Sequence, residues 1–263
     1  MLFIVATPIG NLDDISKRAI QVLESVDAVL CEDTRRSAIL MDRYGIRKPL
    51  ISYHKFKERE AMEGILGELA AGKNLALISD AGTPCINDPG QLLVAACIER
   101  GLEVGAIPGA CSVIQALVLS GFDTTRFQFV GFVPKKGKSV MRLAMSYPGT
   151  TVAFESPERL VETLGEIDGE RRVAVVREMT KTYEECRRGK AAEVLAHYKA
   201  HPPKGEVVLV IAGGEGAEDD LSLEELVQML QEMHGLTLRE AIKAAAKMKH
   251  MPKRDVYKEF HGD

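Results

Sequence analysis

The 263-residue chain contains no tryptophan, and its aromatic share is only 5%. Its five cysteines, Cys31, Cys85, Cys97, Cys111 and Cys186, form no Cys-x-x-Cys pair, which removes the common zinc frameworks and a paired disulfide scaffold. The longest apolar runs, Leu92 to Ile98 and Val207 to Ala212, fall far short of the roughly 18 residues a membrane span needs. No basic stretch followed by an apolar run opens the sequence, so no secretory leader is expected and the expected location is cytoplasmic. Lys and Arg number 34 against 38 Asp and Glu, a formal charge of −4. That balance excludes a protein that coats nucleic acid by bulk charge, and neither a DNA nor a membrane partner is expected.

Several chemical motifs are also missing. There is no G-x-G-x-x-G, and the nearest approach to a phosphate-binding loop, Gly131 to Ser139, puts five residues between its glycines, one of them a proline without an N–H. No serine sits in a G-x-S-x-G elbow. His197 and His201 have helical i, i+4 spacing, but Tyr198 stands where a zinc protease would need glutamate, and no metal site is expected.

What remains is an ordinary globular composition, 46% hydrophobic and 27% charged, in a chain long enough to bury about 70–75% of its unfolded surface. Short apolar runs at Leu2–Ala6, Ala28–Cys31, Leu50–Tyr53, Leu75–Ser79 and Val104–Ile107 predict strands. Segments of helical period at Ile15–Val26, Arg35–Tyr44, Phe56–Ala71 and Pro89–Arg100 lie between them. Nearly continuous apolar strands alternating with helices imply a largely parallel sheet covered on both faces. A second series follows the helix Ser112–Leu119, with strands at Phe127–Val133, Thr151–Phe154, Val173–Arg177 and Val207–Ala212. Its helices are expected near Lys138–Met145, Pro157–Glu166, where Ser156 is the expected N-cap, and Ala191–Tyr198. Two capping boxes, Ser222 with Glu225 and Thr237 with Glu240, mark helices beyond Gly213-Gly214, the first with Leu223, Leu226, Val227 and Leu230 on one face. The expected organisation is α/β: residues 1–118, residues 119–214 packed closely to form a cleft, and a small helical appendage over 215–263.

Ligands of parallel sheets collect beyond the carboxyl ends of the strands. Four such loops are rich in small residues: Thr7 to Asn11, Ser79 to Pro84, Pro108 to Ser112 and Ala212 to Gly214. They leave the backbone open to a ligand. Glu32, Asp33, Asp80, Glu155 and Glu178 are acid/base candidates at strand ends, with Arg35, Arg177 and Lys181 as pairing cations; spacing does not choose among them. Positive charge is local. Residues 131–149 hold Lys135, Lys136, Lys138 and Arg142 with no acid, and Arg239, Lys243 and Lys247 fall on one helical stripe, whereas residues 214–232 hold seven acids and no Lys or Arg.

The loops carry a specific set of words: Val5-Ala-Thr-Pro-Ile-Gly-Asn-Leu12, Cys31-Glu-Asp-Thr-Arg-Arg36, Ser79-Asp-Ala-Gly-Thr-Pro84, Asn87-Asp-Pro-Gly90 and Ile107-Pro-Gly-Ala110. Gly131-Phe-Val-Pro-Lys-Lys-Gly-Lys138, Phe154-Glu-Ser-Pro157, Arg177-Glu-Met-Thr-Lys181 and Gly205-Glu-Val-Val-Leu209 continue the series. In this order, from residue 2 to about 213, the chain resembles the small-subunit ribosomal RNA methyltransferase I family, a branch of the tetrapyrrole methylase superfamily. The resemblance implies two α/β domains of the tetrapyrrole methylase type that bind S-adenosylmethionine in the cleft between them, acting as a homodimer. It further implies methylation of the ribose 2′-oxygen of a cytidine in the decoding region of 16S rRNA, free or in the 30S subunit.

By position, the resemblance places the cofactor against Thr7, Pro8 and Ile9, against Asp80, Ala81, Gly82 and Thr83, and against Ala110, Cys111, Ser112 and Val113. Phe154, Met179 and Ala212 are expected on its other side. Cys111 departs from the small hydroxylated residue expected there. In an in-line displacement, Glu178 or Asp33 is expected to take the proton, and Lys181 or Arg177 to hold the adjacent phosphate. Lys135, Lys136, Lys138, Arg142, Arg239, Lys243 and Lys247 are the expected RNA contacts. Two other readings stay open: a precorrin-type methylase acting on a small molecule, and an RNA-binding assembly factor without catalysis.

Overall fold

The structure is a computed structural model that describes residues 1–54, 58–133, 147–213, 222–234, 236–249, 251–252 and 256. It divides into two compact units, Met1–Gln115 with Met179–Thr182, and Ala116–Glu178 with Tyr183–Asp263.

The first unit is built on a five-stranded sheet of β1 (Leu2–Val5), β2 (Ala28–Cys31), β3 (Leu50–Ser52), β4 (Leu75–Leu77) and β5 (Val104–Ile107) in the order β3-β2-β4-β1-β5. Every pairing is parallel. Successive side chains point to opposite faces, and both faces are apolar, so each recruits helices. One face packs Leu2, Leu30, Leu75 and Leu77 against α3 (Glu58–Ala70) and α4 (Gln91–Glu99). The other packs Val5, Val29 and Ala76 against α1 (Lys17–Ser25) and α2 (Thr34–Arg43). Leu2, Leu23, Leu30, Leu75 and Leu93 are fully buried, and truncating such a side chain costs about 2–5 kcal/mol, so the strand ends are held on a rigid base. Ser16 caps α1 by accepting the Ala19 N–H at 3.1 Å.

Helix α5 (Ser112–Ser120) leads into the second unit, whose sheet contains β6 (Phe127–Phe132), β7 (Thr150–Glu155), β8 (Arg172–Arg177), β9 (Glu185–Lys190) and β10 (Val207–Ile211). The order is β6-β7-β10-β8-β9, and only β6 and β7 run parallel. Helices α6 (Leu160–Gly165) and α7 (Ala191–Ala200) cover one face through Leu160, Leu164, Val194 and Tyr198. Strand β9 is absent from the apolar pattern because its sequence, Glu-Cys-Arg-Arg-Gly-Lys, is polar and it pairs with β8 alone. The expected Ser156 side-chain cap is not formed. The Ser156 N–H is held by the Glu155 carboxylate at 2.7 Å, residues 157–159 form a turn onto the Ser156 carbonyl, and α6 begins only at Leu160.

Helices α8 (Leu223–His234) and α9 (Leu238–Met248) bury Leu223, Leu226, Val227, Leu230, Ala241, Ile242 and Ala245 together. Thr237 and Glu240 form the expected capping box at the start of α9, closing two otherwise unpaired N–H groups. The expected helix near Lys138–Met145 lies outside the described residues, as does the Glu225 side chain of the other expected box.

Candidate active site

Three of the glycine-rich loops meet within the first unit because β1, β4 and β5 are neighbours and parallel, which brings their carboxyl ends to one edge. Beyond β1 and β4, Thr7 and Gly82 form an isolated antiparallel bridge: the Thr7 N–H donates to the Gly82 carbonyl at 2.9 Å and the Gly82 N–H donates back at 3.1 Å. The Thr7 hydroxyl donates to the Ser79 carbonyl at 3.0 Å and the Ser79 hydroxyl to the Gly82 carbonyl at 3.1 Å, so the loop's buried polar groups are satisfied internally. The Thr83 hydroxyl reaches the Ala110 carbonyl of the third loop at 3.0 Å.

Two glycines set the closeness of these loops. Gly82 lies at φ +84°, and a Cβ there would meet Ile9 Cγ2 at 3.2 Å. At Gly109 a Cβ would stand 2.9 Å from Ala6 Cβ. Pro8, Ile9, Gly82, Ala110 and Val113 are buried, Thr83, Cys111 and Ser112 half-buried, and Ala81 exposed. Gln115 reaches back to accept the Cys111 N–H at 2.9 Å, satisfying the backbone donor just ahead of α5.

The rim is acidic. Asp80 Oδ1 accepts the Asp33 N–H at 3.2 Å, and Oδ2 pairs with Arg36 at 3.3 Å. Burial, with Glu32 and then Asp80 nearby, pushes the Asp88 carboxyl up to about 6, despite a hydrogen bond from Ser79 that acts the other way. Asp33 has the opposite fate. Hydrogen bonds from the Arg35 side chain and amide hold its carboxyl at about 2 while it caps α2. A carboxylate so stabilised is a weak proton acceptor, and in this arrangement it holds the start of α2.

Among the described residues, non-glycine positive φ occurs at four positions in two turns: Cys85 (71°) and Asn87 (66°) after β4, and Glu178 (50°) and Thr180 (65°) after β8. Such angles persist only where the surroundings impose them. The Glu178 carboxylate accepts the Glu206 N–H at 3.0 Å and presses on Gly205, where no Cβ would fit. Met179 is buried and belongs with the first unit, and so does Lys181, whose stem lies against Gly10; Thr180 accepts the Asn11 N–H at 3.0 Å. Neither the Thr180 contact nor the Gln115 cap carries a signal in the sequence, since both join residues through folding alone.

In the second unit, Phe154 is half-buried beside Phe129 and Phe132, and Ala212 accepts from Arg171 at 3.3 Å. Arg177 is held by Glu185 at 2.5 Å. Arg239, Lys243 and Lys247 are all exposed along α9, opposite its buried alanines. Lys135, Lys136, Lys138 and Arg142 lie outside the described residues. Among the described residues, no three His, Cys, Asp or Glu side chains are placed to hold a metal ion, and no helix is long and apolar enough to cross a membrane.

Comparison with known proteins gives a consistent answer. The family profile for tetrapyrrole (corrin/porphyrin) methylases matches residues 1–195. A protein from Mesorhizobium japonicum named ribosomal RNA small subunit methyltransferase I is 42% identical over 98% of this chain and 90% of its own length. The protein of that name from Escherichia coli O157:H7 is 40% identical over 98% and 93%. The Thermotoga maritima protein of the same name is 44% identical, with 99% of it aligned to 81% of this chain, so about a fifth of this chain has no counterpart there. Among solved structures, a diphthine synthase superposes with a TM-score of 0.66 at 16% identity, covering 88% of this chain and 94% of that one. A uroporphyrin-III C-methyltransferase from Thermus thermophilus gives 0.58 at 18%, covering 80% and 93%. These two likenesses establish the fold.

Proposed function

The chain belongs to the tetrapyrrole methylase family, and from that premise we propose that it transfers the methyl group of S-adenosylmethionine to the ribose 2′-oxygen of a cytidine in the decoding region of small-subunit rRNA. The observation that carries the reading is 40–42% identity over nearly the whole chain to proteins named for methylation of small-subunit rRNA.

The loops after β1, β4 and β5 suit this cofactor. S-adenosylmethionine has no phosphate, and the glycine-rich sequences of these loops carry no phosphate-binding motif; glycines at 82 and 109 let the three loops pack closely at one edge of the sheet. Its sulfonium and ammonium charges match a rim that holds Glu32, Asp80 and Asp88. Thr7, Pro8, Ile9, Asp80, Ala81, Gly82, Thr83, Ala110, Cys111, Ser112, Val113 and Met179 are its proposed contacts on the first unit, and the family resemblance adds Phe154 and Ala212.

The bound cofactor supplies an activated methyl group on a good leaving group. The residues therefore act mainly by positioning, which is worth about 7–11 kcal/mol when two reactants are held in line. Glu178 receives the 2′-hydroxyl proton late in the transfer, and Lys181 steadies the neighbouring phosphate. Arg239, Lys243 and Lys247 bind the RNA backbone, together with Lys135, Lys136, Lys138 and Arg142. The protein works as a homodimer in the cytoplasm on small-subunit rRNA, free or in the 30S subunit.

Transfer of labelled methyl groups to purified small ribosomal subunits, followed by nuclease mapping of the product, tests the reading. A labelled 2′-O-methylcytidine in the decoding region is the expected product. Label in a small molecule or protein, or none, overturns it.

A further inference from the structure

Four of the chain's eight phenylalanines stand on one face of two adjacent strands. In the β6–β7 register Phe127 pairs with Thr150 and Phe129 with Val152, so both share a face with Phe154. Simple alternation would bring Gly131 opposite Phe154 and turn Phe132 to the other face, beside Val130, which packs on the core under α6. The chain does otherwise. The register shifts between Phe129 and Phe132, Gly131 takes φ +71°, and Phe132 comes opposite Phe154.

The bulge therefore exchanges burial for exposure. A phenylalanine side chain buried in the core is stabilised by leaving water. Phe132 instead is 54% exposed, with its ring edge-on to Phe154 at 5.5 Å, and Phe154 is edge-on to Phe129 at 4.9 Å. The arrangement is fixed from both sides: the Val133 N–H donates to the Phe154 carbonyl at 2.9 Å, and Arg159 donates to the Val133 carbonyl at 2.5 Å. Bulges recur where a side chain has to be re-aimed next to a site.

We propose that Phe132 stacks an unpaired base of the RNA substrate. An open aromatic face accepts any base, and unstacked bases are how single-stranded RNA is gripped by proteins. The charge pattern selects this occupant over an apolar protein surface: immediately after Phe132 the sequence carries Lys135, Lys136, Lys138 and Arg142 with no acid, a composition suited to an aromatic ligand on a phosphate backbone. Phe154, proposed above to contact the methyl donor, is the ring Phe132 leans on, so the stacked base belongs at or next to the nucleotide being methylated. The assignment rests on the proposed rRNA methylation.

The test compares Phe132→Ala, Phe132→Leu and Phe132→Tyr in the full chain. Two readouts are used: the KM for small subunits, and fluorescence quenching of a decoding-region RNA hairpin whose target cytidine is replaced by pyrrolocytidine. Stacking predicts that Ala and Leu both raise KM about tenfold, more than they lower kcat, and lose the quenching, while Tyr restores both. If Leu behaves as the natural protein does, Phe132 is a packing residue and the assignment falls. It falls equally if Ala leaves KM and quenching unaltered while methyl transfer proceeds. Failure of the natural protein to methylate RNA at all overturns the proposed function itself, a result readily told apart from the others.

Discussion

Thr7 and Gly82 hold each other by two backbone hydrogen bonds, at 2.9 and 3.1 Å, across the ends of neighbouring parallel strands. This bridge ties the β1 loop to the β4 loop, with Gly82 in the left-handed region at φ +84°. In Gly82→Ala a left-handed non-glycine residue costs about 1–2 kcal/mol, and its Cβ would crowd Ile9. The expected result is a Tm lowered by a few degrees and S-adenosylmethionine affinity at least about tenfold weaker, since the loop must shift. Calorimetry showing natural affinity would detach the bridge from the site.

Asp80 supports the β2–α2 loop through Asp33 and Arg36 as well as facing the proposed site. Asp80→Ala is expected to abolish cofactor binding. Asp80→Asn keeps an acceptor for the Asp33 N–H but removes the charge, and should bind weakly. Unchanged affinity in both, by calorimetry, would remove Asp80 from the site and leave it a loop brace.

Asp88 gives a pH signature. Its folded-state value of about 6 lies above the ordinary carboxylate value of 3.8, so the folded protein holds this proton more tightly than the unfolded chain. Its contribution is fully favourable below about pH 4 and is lost as pH rises through about 6. Asp88→Asn removes that loss, so its Tm should exceed the natural protein's at pH 8 by more than at pH 5. Equal differences at both pH values, measured by thermal melting, would contradict the assignment.

Glu155 is completely enclosed, its side chain meeting Arg159, the Thr163 hydroxyl and the Ser156 N–H. Removing one partner of a buried pair leaves a charge without compensation and typically costs 3–5 kcal/mol. Arg159→Ala should destabilise the chain by about 3 kcal/mol in urea unfolding and also release the Val133 carbonyl that precedes the basic segment. A loss below about 1 kcal/mol would mean that the enclosure is looser than described.

The exposed stripe Arg239, Lys243 and Lys247 supplies the RNA test. Replacing all three by Gln should weaken binding of decoding-region RNA and reduce the slope of log affinity against log salt by about 2–3. Deleting residues 217–263 should do at least as much, although the shorter Thermotoga relative shows that a protein of that name lacks about a fifth of this chain. Full rRNA methylation by both variants would confine RNA docking to other surfaces.

Much of this was legible in the chain itself. The runs Leu2 to Val5, Ala28 to Cys31 and Leu75 to Leu77 are apolar without interruption, and only a strand buried on both faces tolerates that pattern, so the parallel first sheet followed from sequence. The Thr237–Glu240 box and the apolar face of α8 are local, formed between residues three or four apart. The small-residue loops, likewise, announced where a backbone could be approached.

Other features depend on partners far away in the sequence. Strand β9 is charged and became a strand because β8 offered it a free edge; β10 entered between β7 and β8 and made most of the second sheet antiparallel. Phe132 reads as the next residue in an alternating strand until the register with β7 shifts at Gly131. Local propensity and apolar period fix which segments become helices and strands, because those depend on neighbours along the chain. Charge state, strand direction and the facing of a single ring are settled by contacts between remote segments, which exist only once the chain has folded.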